Sequence, residues 1–328
     1  GLLRQSAVLL MAVFVSLSSA HAVDALHTDP RGIYLVKVPG TSDPSRPVRT
    51  YLGIQLLPDA RAFGFVGSVS GNTFNLADVE NPSVFADAER ESYVHVTSGT
   101  GRGFVANVEE FRATDILCEE DLSQWIAPYD RIQIRPHANI SDLLGANNKF
   151  GLGTGPDAGA ADNVVIWDAA VQEEKVYYFN STRSRWEERG VEADAGHAVF
   201  RFPYGFYIVR RSPGTVRIAL SGGVGSDPIL LPVRTGANVF SLPVNLSASL
   251  ESWVSGEGGH AVISGPNAKL ADILTFEEPT TALYRGPFYR RSQSGASGWR
   301  EVGVNDTAAT IAPLDFLSTL VLRRNGAD

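Results

Sequence analysis

The stretch ADNVVIWD at residues 161–168 has a counterpart in LADILTFE at residues 270–277, and this pair decides the predicted fold. Each stretch places an Asp before a short apolar run, and such a run is typical of a buried β-strand. Similar segments follow each of them: VYYFNSTRSRWEERG (176–190) and GFYIVRRSPG (205–214) after the first, PFYRRSQSGASGWREVG (287–303) and STLVLRRNGA (318–327) after the second. The shared order indicates two copies of one β unit.

Single residues match between the two copies. The aligned positions are Trp186 with Trp299, Gly190 with Gly303, and Arg210-Arg211 with Arg323-Arg324. Two copies are too few for a solenoid. We therefore expect either a pseudo-symmetric pair of packed sheets or two similar sandwiches, formed by residues 134–214 and 240–328.

The rest of the chain also reads as strands separated by turns. Gly and Pro punctuate short β-branched and aromatic runs throughout, a pattern that favours an all-β protein with few short helices. We predict an N-terminal strand and linker at residues 23–49, a small β-barrel-like module at 50–133, and connecting strands at 215–239.

The first 22 residues have the pattern of a secretory signal peptide. Arg4 precedes an apolar run at residues 7–17, and Ala20 and Ala22 form an A-x-A site that predicts cleavage before Val23. The run is too short to span a bilayer, and we expect no transmembrane segment in the mature chain. The protein should therefore be periplasmic, attached to the cell surface, or extracellular.

Composition excludes some classes of function. The chain has a formal net charge of −8, which gives no electrostatic footprint for nucleic acid. Cys118 is its only cysteine, so no internal disulfide can form, and the thiol is interpreted as a small buried side chain. The absence of disulfides weakly favours a bacterial origin.

Several segments resemble one known protein family in their order along the chain. These segments are HTDPRGIYLVKVPGTSD from His27, AFGFVGSVSGNTFNL from Ala62, YVHVTSGTGRGFVANV from Tyr93, YDRIQIRPHANISDLLG from Tyr129, the pair Tyr177-Tyr178, Trp186, and residues 205–211. They are similar to a family of secreted proteins of unknown function, known chiefly from Verrucomicrobia and related environmental bacteria. The resemblance implies export and an all-β body, and it brings no catalytic residues.

Motifs of common enzymes are missing from the sequence. It contains neither G-x-S-x-G nor H-E-x-x-H. The loop at residues 151–156 lacks the strand–loop–helix order of a nucleotide site and is interpreted as a linker. Acidic residues such as Asp157 and Asp162 lack calcium-loop spacing and are interpreted as a solvated surface. We predict no cofactor and no metal site.

Aromatic residues of the first repeat supply the candidate ligand-binding positions. Tyr177 and Tyr178 must point to opposite faces of their strand, so one ring was expected at the surface. Exposed rings on a β-sheet can stack on sugars. The candidate residues are Tyr178, Trp186 and Tyr207. Core packing is the alternative, and the matched positions of Trp186 and Trp299 favour it.

Three functions remain, in this order. The first is a non-enzymatic structural or interaction protein of the bacterial cell surface or extracellular space. The second is a carbohydrate-binding accessory module, with a polysaccharide or an envelope component as partner. The third is a hydrolase whose site is assembled from distant residues such as Asp162, His197 and Asp272. The sequence leans away from an enzyme.

Overall fold

The regular secondary structure of the described residues is almost all β, as predicted. The computed structural model describes residues 31–54, 56–87, 90–225, 227, 229–241, 262–278, 283–292, 298–303 and 319–325. The predicted signal peptide lies outside these residues. The strands, numbered in chain order, are β1 (Arg31–Pro39), β2 (Val48–Leu52), β3 (Leu56–Leu57), β4 (Ala62–Ser70), β5 (Thr73–Leu76), β6 (Ser92–Val96), β7 (Val105–Phe111), β8 (Ile116–Cys118), β9 (Arg131–Pro136), β10 (Ala138–Asn139), β11 (Asn163–Asp168), β12 (Glu173–Asn180), β13 (Arg185–Glu188), β14 (Val199–Phe200), β15 (Phe206–Arg210), β16 (Thr215–Val224), β17 (Gly236–Ser241), β18 (Ile273–Glu278), β19 (Leu283–Arg291), β20 (Gly298–Glu301) and β21 (Thr319–Arg324).

Helical structure in the described residues is short. One 3-10 helix spans Pro82–Phe85, and one α-helix, α1, spans Ile140–Leu144. Asn139 caps α1 by accepting a hydrogen bond from the Asp142 backbone N–H, and the Asp142 side chain accepts one from the Asn139 N–H. This capping box stabilises a single turn that would otherwise be marginal.

Six strands close into a barrel in the order β4-β5-β8-β7-β6-β9. Its interior is filled by aliphatic side chains with Phe74 and Cys118, so Cys118 is a buried thiol as expected. The barrel begins at Ala62, later than the predicted module at 50–133. The reason is that β2 pairs with β15 instead, with Tyr51 opposite Tyr207, and therefore belongs to a sheet of the first repeat.

Two five-stranded antiparallel sheets have the same strand order. The first is β13-β12-β11-β15-β2 and the second is β20-β19-β18-β21-β17. In each sheet three consecutive strands form a meander, β11 to β13 in the first and β18 to β20 in the second. A later strand, β15 or β21, pairs with the first strand of the meander. An earlier strand, β2 or β17, then pairs with that later strand at the edge of the sheet. The barrel is thus inserted between β2 and the remaining strands of the first sheet.

The register of β11 with β15 matches that of β18 with β21, with one correction to the sequence alignment. Asn163 lies opposite Val209, and Ile273 lies opposite Arg323. Because Asn163 and Ile273 each follow the Asp of their repeat, Arg210 corresponds to Arg324. The alignment of Arg210 with Arg323 was wrong by one residue.

The first sheet is covered on both faces. One face packs against the three-stranded sheet β1-β16-β3 and α1, with Val36, Ile218 and Ile140 in the shared core. On the opposite face, Val165, Val176, Tyr178 and Tyr207 pack with Ala158 and Ala161 from the loop before β11. The central strands β12, β11 and β15 are therefore covered on both faces and offer no open surface to a ligand.

Backbone and side-chain hydrogen bonds connect the two five-stranded sheets. The Trp167 indole donates to the Ala237 carbonyl at 2.8 Å, and Gly205 N–H donates to the Val239 carbonyl at 2.8 Å. The barrel in turn packs on the first repeat through stacked rings of Tyr93 and Phe202, whose centroids are 5.3 Å apart.

Candidate functional site

None of the three aromatic residues predicted to bind ligand is exposed. The exposed fraction is 7% for Tyr178, 1% for Trp186 and 2% for Tyr207. Tyr177 and Tyr178 do face opposite sides of β12, as the alternation requires, but both sides are covered. The expected surface ring is therefore absent, because sequence alternation reveals the two faces of a strand but not what packs on them.

Each of the three rings has a partner inside the fold. Trp186 packs edge-on against Phe179 and donates from its indole to the Gly145 carbonyl at 2.9 Å, which anchors the end of α1. The Tyr178 hydroxyl donates to Glu187 Oε2 at 3.2 Å. The same carboxylate is paired with Arg183 and Arg185.

Tyr207 belongs to a polar cluster at the edge of the first sheet. Its hydroxyl donates to Glu174, and the Arg49 guanidinium lies over its ring at 4.4 Å. Burial and the Glu174 carboxylate raise the pKa of the Tyr207 hydroxyl. The neighbouring Tyr51 N–H donates to Glu277 Oε2 of the second sheet at 2.7 Å, so this cluster also joins the two sheets.

The loop at residues 151–156 is more than a linker, because it is bound to a buried carboxylate. Asp162 accepts hydrogen bonds from the backbone N–H groups of Gly153 at 2.6 Å, Arg211 at 2.7 Å and Ser212 at 3.0 Å. Arg210 Nε lies 2.7 Å from Asp162 Oδ2, and both side chains are almost fully buried. The prediction of a solvated surface was wrong for Asp162, since its oxygens are filled by internal donors.

We call these contacts of Asp162 with residues 153, 210, 211 and 212 the clasp. The second five-stranded sheet has a similar clasp. Asp272 accepts from Ile263 N–H at 2.9 Å and from Asn325 N–H at 3.4 Å, and Arg324 Nη2 lies 3.4 Å from its Oδ2. Gly155 and Gly265 both bridge to the end of the second meander strand. A Cβ at Gly155 would come within 2.8 Å of backbone atoms of residues 160 and 161, which explains the glycine.

The residues suggested for a hydrolytic site, Asp162, His197 and Asp272, do not come together in the fold. Asp162 and Asp272 have structural partners in separate sheets, and neither faces an open cavity. His197 lines a different surface groove with Arg90 and Glu91. In the described parts of the chain, no three His, Cys, Asp or Glu side chains come together in a way that could hold a metal ion.

His137 is a buried histidine with a structural role. Its Nδ1 accepts from the Phe202 N–H at 3.1 Å, so Nε2 carries the proton and donates to Asn107 Oδ1 at 3.1 Å. Its ring lies 4.8 Å from that of Tyr93. Burial lowers its pKa to about 3, so the imidazole stays neutral and holds the barrel against the first repeat.

The outer wall of the barrel presents the candidate binding site. Phe63 and Phe65 lie two residues apart on β4 and point outward, with exposed fractions of 65% and 38%. They border an open cleft of about 520 Å³. Two neighbouring exposed apolar rings beside a cleft are the kind of surface that can contact a ligand, so this pair is the candidate interaction site.

Polar side chains from β9 and from the residues that follow β5 and β6 complete the cleft. Arg131 lies opposite Phe65 on β9, and its guanidinium carbon is 5.6 Å from the Phe65 ring centroid. Gln133 lies opposite Phe63 and uses its Oε1 to accept from Arg135, which leaves its amide N–H groups to donate. Ser98 and Asp78 also line the cleft.

The sequence contained a signal for this site that was not used. In AFGF at residues 62–65, Phe alternates with small residues, so both rings must lie on one face of the strand. The Gly64 position confirms the assignment of faces, because a Cβ there would meet Leu76 of the barrel interior at 3.1 Å.

Comparison with protein-family models, with curated proteins and with solved structures found no match. The family resemblance noted in the sequence therefore stays a prediction. Among the described residues, no helix has both the length and the apolar character needed to cross a bilayer.

Proposed function

We propose that this protein is an exported, non-enzymatic interaction protein that holds a partner on the outer wall of its barrel. The observation that carries the proposal is the exposed pair Phe63 and Phe65 beside the open cleft. Export is supported by the signal-peptide pattern of residues 1–22, which fits a periplasmic, cell-surface or extracellular location.

Rigidity of the cleft supports binding as its purpose. Both strands that form its floor belong to the closed barrel: β4 pairs with β9 over Ala62–Phe65 and with β5 from Val66 onward, and β9 also pairs with β6. Binding groups on paired strands are held more exactly than groups on loops. The acids Asp162 and Asp272, in contrast, serve the fold, so the hydrolase hypothesis receives no support from them.

Retention on cell envelope tests the proposal. The chain from Val23 onward is mixed with sedimented envelope of a Gram-negative bacterium, and the bound fraction is measured after centrifugation. We expect the double variant Phe63→Ala/Phe65→Ala to lose at least tenfold in apparent affinity. It removes two rings whose apolar surface the partner would cover.

A matched control exists on β1. Ile33 and Leu35 are also two residues apart on one strand, with exposed fractions of 76% and 55%, but they do not line the cleft. The variant Ile33→Ala/Leu35→Ala should bind like the parent. Equal retention of parent and Phe63→Ala/Phe65→Ala would contradict the proposal.

A further inference from the structure

We infer that the ligand of the barrel cleft is an uncharged polysaccharide chain, stacked on Phe63 and Phe65 and hydrogen-bonded by Gln133, Arg131 and Ser98. This inference rests on the proposed function and names the chemistry of its partner. It follows from the aromatic face, from the polar groups beside it, and from the charge balance of the cleft.

The two rings fit the apolar face of a sugar. Residues two apart on a strand are separated by about 7 Å along its axis, so the two rings offer adjacent apolar faces to an extended chain of sugars. Consecutive C–H faces of an extended glycan could therefore contact Phe63 and Phe65 in turn. The Arg131 guanidinium stacked on Phe65 supports that ring from the side of β9.

Hydroxyl groups of a sugar would meet donors and acceptors at the edge of the rings. The amide N–H groups of Gln133 remain to donate, since its Oε1 is used by Arg135 at 2.9 Å and 2.7 Å. The Ser98 Oγ accepts from the Arg131 N–H at 2.7 Å, which fixes it beside the cleft and leaves its hydroxyl proton free to donate.

Charge in the cleft favours a neutral ligand. Arg131 and Asp78 contribute one charge of each sign, and Asp227 is paired with Arg102 at 2.7 Å. The cleft has no excess of positive charge for a uronate, sulfate or phosphate, and the whole chain is acidic with a net charge of −8. An anionic glycan would be repelled at long range.

A sedimentation assay on defined polysaccharides tests the inference. The probes are cellulose, chitin, insoluble xylan, mannan and curdlan as neutral polymers, with calcium alginate as the anionic one. We expect retention on at least one neutral polymer that is unchanged in 0.5 M NaCl. Phe63→Ala/Phe65→Ala and Gln133→Ala should each weaken it at least fivefold, whereas Ile33→Ala/Leu35→Ala should not. A Phe65→Trp variant keeps an aromatic face and should retain binding.

The outcomes separate the inference from the proposed function. Retention on no neutral polymer, retention only on alginate, or retention that survives loss of both rings overturns the inference. If envelope binding still depends on Phe63 and Phe65 in that case, the proposed function stands and the partner is not a neutral glycan. Circular dichroism and thermal unfolding of each variant show whether it is folded, and substitution of such exposed rings should leave the melting temperature unchanged.

Discussion

Replacing Asp162 by Asn should destabilise the first repeat strongly. The carboxylate accepts three backbone N–H groups and lies 2.7 Å from Arg210 Nε, with both side chains almost fully buried. An Asn has the same shape but no charge. Its NH₂ group is a donor and would face backbone N–H groups, with which it cannot form a hydrogen bond. Arg210 would then be left as a buried cation with only the carbonyls of Val38 and Pro213 at 3.5 and 3.3 Å.

The size of the effect follows from the environment of the pair. Removing one partner of a buried ion pair typically costs about 3–5 kcal/mol, because the remaining charge is uncompensated. Asp272→Asn is the matched control in the same chain. Its backbone contacts are longer, Arg324 is 3.4 Å away, and the Arg324 side chain is 13% exposed, so we expect about 1–2 kcal/mol.

Urea unfolding followed by tryptophan fluorescence measures both variants, and hydrogen exchange of the Gly153, Arg211 and Ser212 amides reports the clasp directly. The double variant Asp162→Asn/Arg210→Met should recover part of the loss, because it leaves no unpaired charge. A loss below about 1 kcal/mol for Asp162→Asn, or a loss for Asp272→Asn that equals it, would refute this reasoning.

Two further predictions concern pH. Burial raises the pKa of Glu277 to about 7, above its ordinary 4.5, so its contribution to stability is complete below pH 4.5 and is lost as pH rises through 7. Glu277→Gln should therefore be more stable than the parent at pH 8 by about 3 kcal/mol and nearly equal to it at pH 5, as measured by urea unfolding; no gain at pH 8 would contradict this. The stability contribution of His137 changes with pH in the opposite direction. Its pKa is lowered to about 3 from 6.5, so this contribution is lost as pH falls below 6.5. Between pH 7 and 4.5 the parent should lose about 2–3 kcal/mol more than His137→Gln, and parallel unfolding curves for the two would show that His137 is not held neutral.

The architecture was predictable where the signal is local and repeated. The apolar runs around 163–168 and 273–277 and the matched tryptophans Trp186 and Trp299 indicated two similar β units, and the two five-stranded sheets have the same strand order. The edge strand β2 could not be assigned in this way. It is separated from β15 by the whole barrel, and strand propensity does not reveal a partner about 150 residues away.

The candidate site was harder to predict, because exposure is a tertiary property. Tyr178 and Tyr207 lie on the face of the first sheet that Ala158 and Ala161 cover, and nothing in the loop composition indicated that it folds back over that face. Phe63 and Phe65 were closer to prediction, since their alternation with Gly64 and Val66 is visible in the sequence. What the sequence could not show is that both rings stay exposed in the described part of the fold.

The clasp also explains how each repeat fixes its strand register. Asp162 immediately precedes β11, while its ion-pair partner Arg210 and the backbone donors Arg211 and Ser212 lie at and just after the end of β15. A slip of one residue would put Val209 or Arg211 beside the carboxylate and would move Tyr207 to the other face of the sheet. The buried charge therefore selects one register, and the second repeat uses the same geometry with Asp272 and Arg324. Because the selection depends on the one arginine that pairs with the Asp in each sheet and not on the Arg-Arg dipeptide, the alignment of Arg210-Arg211 with Arg323-Arg324 matched composition but missed the register.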